Sequence, residues 1–198
     1  MNSKKKIIIA VSALAMVLIA SVVAVVAVLA AQQVTVQSNV QIVYTTKEIQ
    51  GSISAYYQVK GDASRTQIGS TVTPDGSEPD NTGFEHNSTS AAVSIENLSK
   101  TNNYVDFIFT FTNTGSTAYK AQLTGNPNWS TNGFTTTYSA ALDGDPTGSS
   151  AVTVTIPANT TTAVEYTVRY TLGTFNTSFT VDGQFEWKLV ADGADSVS

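Results

Sequence analysis

The chain of 198 residues contains no cysteine and a single histidine, His86. The absence of cysteine excludes a disulfide framework, thiolate zinc sites and a cysteine nucleophile. One histidine excludes the metal-binding motifs that need a His pair and leaves a single imidazole for acid–base chemistry. Basic residues are also scarce, since 10 Lys and Arg face 15 Asp and Glu for a net charge of −5. This acidic balance argues against a nucleic-acid partner.

Hydroxyl side chains are abundant instead, because 21 Ser and 29 Thr together make up 50 of the 198 residues. This composition is typical of an exported β protein and unlike that of a cytosolic enzyme.

The amino terminus combines a basic start with a long apolar run. Lys4, Lys5 and Lys6 precede 25 uncharged residues, 7–31. This arrangement predicts an export signal, and the run is also long enough to cross a membrane as a helix. We expect cleavage after Ala30. If the run is kept, residues 7–31 are the chain's contact with the membrane.

Beyond residue 33 the pattern alternates with the period of a β-strand. In residues 34–44 the apolar side chains occupy even positions, and from residue 49 the parity reverses. Later runs include residues 105–111 and 179–189, which are rich in β-branched and aromatic residues. We predict an all-β fold of about nine strands, a two-sheet antiparallel sandwich of immunoglobulin-like or jelly-roll type. The aromatic residues that alternate along these two runs are interpreted as part of the core.

The predicted organisation has four parts. Residues 1–31 are a signal peptide or membrane anchor, residues 32–46 an N-terminal strand, residues 47–191 the sandwich and residues 192–198 a polar tail. Within the sandwich, residues 60–90 are interpreted as one long polar surface excursion. Asp182-Gly183 interrupts the last run and predicts a tight hairpin or a bulge.

The sequence contains few residues in patterns typical of catalysis or metal binding. His86 follows Glu85, which suits a general base, but no nucleophile motif accompanies it, and a surface-loop histidine is the simpler interpretation. We therefore predict no catalytic residue, no metal site, no cofactor and no enzymatic activity. Five Asn-x-Ser/Thr sequons are candidate sites for N-linked glycans, against roughly three expected by chance in so hydroxyl-rich a chain. They are Asn87, Asn97, Asn128, Asn159 and Asn176.

Two segments have a recognisable order. Residues 93–100 followed by residues 105–118 read as a short strand, a polar turn, an aromatic-rich strand and then Thr112-Asn113-Thr114-Gly115. This order resembles the TasA/camelysin family of biofilm-matrix fibre proteins and the archaeal bundling-pilus and thread subunits. The aromatic cluster that follows the signal in TasA-like proteins is absent, and no His-Glu-x-x-His motif supports the peptidase assignment of camelysins.

The resemblance implies an extracellular filament of identical subunits joined by donor-strand complementation, in which each N-terminal strand fills a groove in its neighbour. The candidate donor residues are the apolar even positions Val34, Val36, Val40, Ile42 and Tyr44. Pairing of this segment within its own domain remains open. The main alternative function is a membrane-anchored, cell-surface immunoglobulin-like domain for binding or adhesion, and assembly through a retained N-terminal helix, as in type IV pilins, ranks below it.

Overall fold

The computed structural model describes residues 34–44, 49–74, 85–95, 98, 103–173 and 179–192. The predicted signal or anchor at residues 1–31 lies outside this set. Within the described residues, no helix has the length and apolar character needed to cross a membrane.

The described part of the chain is built from strands, with one short 3-10 helix at Ser130–Asn132. In chain order the strands are β1 (Val34–Tyr44), β2 (Gly51–Val59), β3 (Thr66–Val72), β4 (Glu85–Ile95), β5 (Tyr104–Asn113), β6 (Tyr119–Gly125), β7 (Phe134–Ser139), β8 (Pro146–Gly148), β9 (Val154–Ile156), β10 (Thr160–Leu172) and β11 (Phe179–Ala191).

The strands form two sheets, which confirms the predicted all-β sandwich. One sheet has five strands in the order β4-β1-β11-β6-β9, and the other has six in the order β3-β2-β5-β10-β7-β8. Every pairing is antiparallel except that between β1 and β11, which is parallel. The described ranges contain eleven strands, more than the expected nine, because short segments such as β8 carry too little periodicity to be recognised in the sequence.

Aromatic side chains from the two sheets interlock to form the core. Phe109 of β5 lies 5.1 Å, centroid to centroid, from both Phe185 and Trp187 of β11. Phe107 lies 4.8 Å from Phe185, and Phe111 lies 5.2 Å from Trp187. All five rings have no exposed surface. Their interpretation as core is confirmed, because strand alternation places them on the inner faces of two facing sheets.

The predicted excursion at residues 60–90 is wrong for part of its length. Residues 66–72 form β3, which pairs antiparallel with β2, and the first half of β4 also falls within this range. Ile68 and Val72 are buried and anchor β3 to the core. The segment looks polar because β3 is an edge strand, so only two of its seven side chains are needed inside.

Neither of the two predictions for Asp182-Gly183 is correct. Strand β11 continues through both residues, which pair in unbroken register with Gln37 and Ser38 of β1. The register shift along β11 lies further on, at Glu186. The glycine serves a close contact instead of a turn, as described below.

Candidate assembly site

The N-terminal strand β1 lies in the interior of the five-stranded sheet. All of its residues pair with β11 on one side, from Val34 opposite Phe179 to Tyr44 opposite Leu189. On the other side the same residues pair with β4, from Ile95 to Glu85. Among the described residues, β4 has no other strand partner. Removing β1 would therefore leave one edge of β11 unpaired and detach β4 from the sheet.

The inner face of β1 is deeply buried. Val40 is 1% exposed and Ile42 is 2% exposed, which confirms the predicted inward face for these two positions. Val34, Val36 and Tyr44 lie in β1 with the same parity, but their side chains are outside the described set. Thus the alternation assigns the inner face of β1 correctly at Val40 and Ile42, the two apolar even positions whose side chains are described.

The outer face of β1 is polar and half-buried at Gln41. The side-chain amide of Gln184 on β11 donates a hydrogen bond to the side-chain carbonyl of Gln41. Val43 also faces outward by parity, yet it is 7% exposed. Val43 is the one apolar residue among the odd positions of 34–44, and the structure shows it buried.

One position on the inner face of β1 departs from the apolar pattern. Ser38 is 1% exposed, and its hydroxyl has no hydrogen-bond partner among the described residues. Ser38 lies opposite Gly183 of β11. A Cβ added at Gly183 would come within 2.4 Å of the Cβ of Pro127 and 2.5 Å of its Cγ. The proline ring therefore occupies the space above this point of the sheet.

The loop that carries Pro127 is held firmly in place. The Tyr170 hydroxyl donates to the carbonyl of Pro127 at 2.8 Å, and the Asn126 side chain donates to the same hydroxyl at 3.2 Å. The Trp129 indole N–H donates to the carbonyl of Asp182 at 2.8 Å. Burial raises the pKa of Tyr170 well above its usual value, so the hydroxyl remains a donor. These bonds tie the loop to β10 and β11 together.

The outer face of the six-stranded sheet carries two pairs of opposite charges. Arg169 forms a bidentate pair with Asp106, both bonds measuring 2.7 Å, and its guanidinium lies 3.9 Å from the ring centroid of Tyr104. The hydrogen bond to Asp106 raises the pKa of Arg169. Arg65 pairs with Glu165 across the same face. Each of these four charged groups is therefore paired within the chain.

The remaining candidate residues are dispersed. His86 and Asn87 lie in β4, opposite Val43 and Ile42 of β1. Asn128 and Asn159 are exposed, and Asn159 has a positive φ of 55° in the turn before β10. Asn97 and Asn176 lie outside the described residues, and glycosylation at all five sequons stays a prediction. No cluster of three or more His, Asp or Glu side chains suited to a metal ion occurs in the described ranges.

Comparison with protein-family models finds no match to this chain, and comparison with curated proteins finds none either.

Ser38, Gly183 and Pro127 were not predicted from the sequence as features of the β1 site. A signal for the first was present, since Ser38 is the one polar residue among the even positions of 34–44. No sequence signal joins Pro127 to Gly183, because they lie on different segments that only the fold brings together.

Proposed function

We propose that this protein is the structural subunit of an extracellular, cell-surface filament, in which β1 of each subunit completes the five-stranded sheet of the next. The observation that carries the proposal is the position of β1. The first strand of the described chain lies between β11 and β4 and supplies the pairing partner of both.

Exchange of β1 between subunits would conserve its contacts. A second copy of the chain offers the same backbone partners on β11 and β4 and the same inner-face environment for Val40 and Ile42. Backbone pairing supplies affinity in such strand addition, and alternate side chains supply specificity. The exchanged contact joins the amino-terminal strand of one subunit to the groove of another. Such a contact is head-to-tail, and it propagates as a fibre when each subunit passes its β1 on to a further subunit instead of exchanging strands reciprocally with one partner.

The energetics favour slow dissociation of an exchanged β1 from the sheet that receives it. Full burial of a Val or Ile side chain contributes about 1.5–3 kcal/mol. Val40 and Ile42 are both nearly inaccessible, and the strand adds backbone hydrogen bonds on two sides. Without β1, the facing edges of β11 and β4 would be unpaired. Proteins avoid exposed unpaired edges because such edges associate indiscriminately. A subunit whose own β1 has left its groove would thus capture another β1 strongly.

A second candidate function has its own supporting observation. In the structure β1 completes the sheet of its own chain, and that arrangement suits a monomeric, membrane-anchored surface domain that binds or adheres to a partner. The two candidates share the sandwich and differ in which chain supplies β1. Under both, we propose that the protein has no catalytic role and needs no cofactor.

Negative-stain electron microscopy of the protein purified from the cell surface, joined with amino-terminal sequencing, tests the proposal. We expect fibres whose subunits begin near Ala31 or Gln32. Intact monomers in the membrane fraction, without fibres, would contradict the proposal and favour the surface domain.

A further inference from the structure

The alternating pattern of β1 leaves its register ambiguous in steps of two residues. A shift by one residue would turn the apolar face outward and is excluded by the side-chain period. A shift by two keeps apolar residues inside, because Val36, Val40 and Ile42 are all aliphatic. Some other feature must therefore select the observed alignment.

The alignment brings the smallest inner-face side chain of β1 opposite a glycine that lies against a proline ring. Ser38 lies opposite Gly183, where the Pro127 ring leaves no space even for a Cβ on β11. A shift by two in either direction would move Val36 or Val40 to this point. Overpacking a core by one or two methyl groups is destabilising because buried side chains cannot leave their rotamers freely.

We propose that Ser38, Gly183 and Pro127 form a register lock that fixes the alignment of β1 against β11. The unpartnered hydroxyl of Ser38 is consistent with selection for size at this position, because a buried hydroxyl without a partner costs stability. The lock acts on whichever chain supplies β1. In a filament, the lock would give every contact between subunits the same register, and this consequence rests on the proposed function.

Engineered disulfides can measure the alignment, since the chain has no cysteine of its own. Gln41 pairs with Glu186 in the observed register. After the shift by two that brings Val40 opposite Gly183, it would lie opposite Gln184. Directly paired residues on neighbouring strands fall within the Cα separation that a disulfide requires, whereas diagonal positions do not. The double variants Gln41→Cys/Glu186→Cys and Gln41→Cys/Gln184→Cys therefore report the two registers.

We expect at least tenfold more disulfide from the 41–186 pair than from the 41–184 pair under mild oxidation, measured on linked peptides by mass spectrometry. In each variant, exchanging the small and large residues by Ser38→Val with Val40→Ser should reverse this preference. The exchange keeps the composition of β1 and moves the small side chain by two positions. A 41–186 disulfide that still dominates after the exchange would overturn the proposal.

A second measurement remains decisive if the chain that carries both Ser38→Val and Val40→Ser does not fold. Ser38→Val alone should lower the midpoint of thermal unfolding, and Ser38→Ala should not lower it. In a Pro127→Ala background, which keeps the carbonyl that Tyr170 contacts, the loss caused by Ser38→Val should fall by at least half. An equal loss in both backgrounds would refute the role of Pro127.

The two proposals fail separately in these experiments. Which cysteines are linked tests the register lock. Whether the link joins one chain or two tests the exchange of β1.

Discussion

Placing a charge on the inner face of β1 is a direct perturbation of the site. Ile42→Asp removes a side chain that is 2% exposed and loses about 1.5–3 kcal/mol of apolar burial. It also places a carboxyl group in an apolar environment, which costs several kcal/mol more, whether the group stays ionised or takes up a proton. The sum approaches the whole stability of a typical domain, about 5–15 kcal/mol. We therefore expect β1 to leave the sheet.

The matched control is Gln41→Asp, one residue away on the outer face. Its carboxylate would face Glu186 across the strand pair, and such like-charge neighbours cost about 0.2–1 kcal/mol. Denaturant unfolding followed by circular dichroism, with fibre sedimentation in parallel, should show a large loss for Ile42→Asp and a small one for Gln41→Asp. Equal behaviour of the two variants would refute the assignment of the faces of β1.

Two further predictions concern the rest of the sandwich. Burial raises the pKa of Tyr170 above its ordinary 10.0, so above pH 10 the unfolded chain loses the proton first and stability falls by about 1.4 kcal/mol per pH unit for this group. Tyr170→Phe should remove this contribution from the slope of the unfolding free energy against pH, measured from pH 8 to 11.5. An unchanged slope would contradict the claim that burial raises the pKa of Tyr170. Asp106→Asn should cost about 1–2 kcal/mol in urea unfolding, because it breaks a bidentate, partly buried pair with Arg169. Glu165→Gln, in a more exposed pair, should cost under about 1 kcal/mol, and the reverse order would show that burial does not decide the strength of these pairs.

The alternation of residues predicted the sandwich because both sheets bury one face. Phe107 and Trp187 are placed inside by parity alone, and no knowledge of their partners is needed. The change of parity between residues 44 and 49 did not by itself predict that β1 and β2 belong to different sheets. Local pattern thus carries the assignment of faces.

Partner choice could not be predicted in the same way. Nothing in residues 34–44 indicates that they run parallel to β11, because strand order depends on contacts between segments far apart in sequence. Strand β3 was missed for a related reason, since an edge strand with few inward side chains has a polar sequence. Gly183 resembled a turn residue, whereas its lack of a side chain serves the close approach of Pro127.

Exchange of β1 between chains is tested most directly by two singly substituted proteins. One carries Gln41→Cys and the other Glu186→Cys, at positions that pair across β1 and β11. The two are mixed, allowed to assemble and mildly oxidised, and the linked peptides are identified by mass spectrometry. A 41–186 disulfide can then form only if β1 of one chain lies in the sheet of the other.

The proposed function predicts abundant 41–186 disulfide between the two different chains in the assembled material. The double variant Gln41→Cys/Glu186→Cys provides the positive control for the geometry. If that variant forms the disulfide within single chains while the mixture forms none between chains, β1 stays in its own sheet, and the filament account is contradicted.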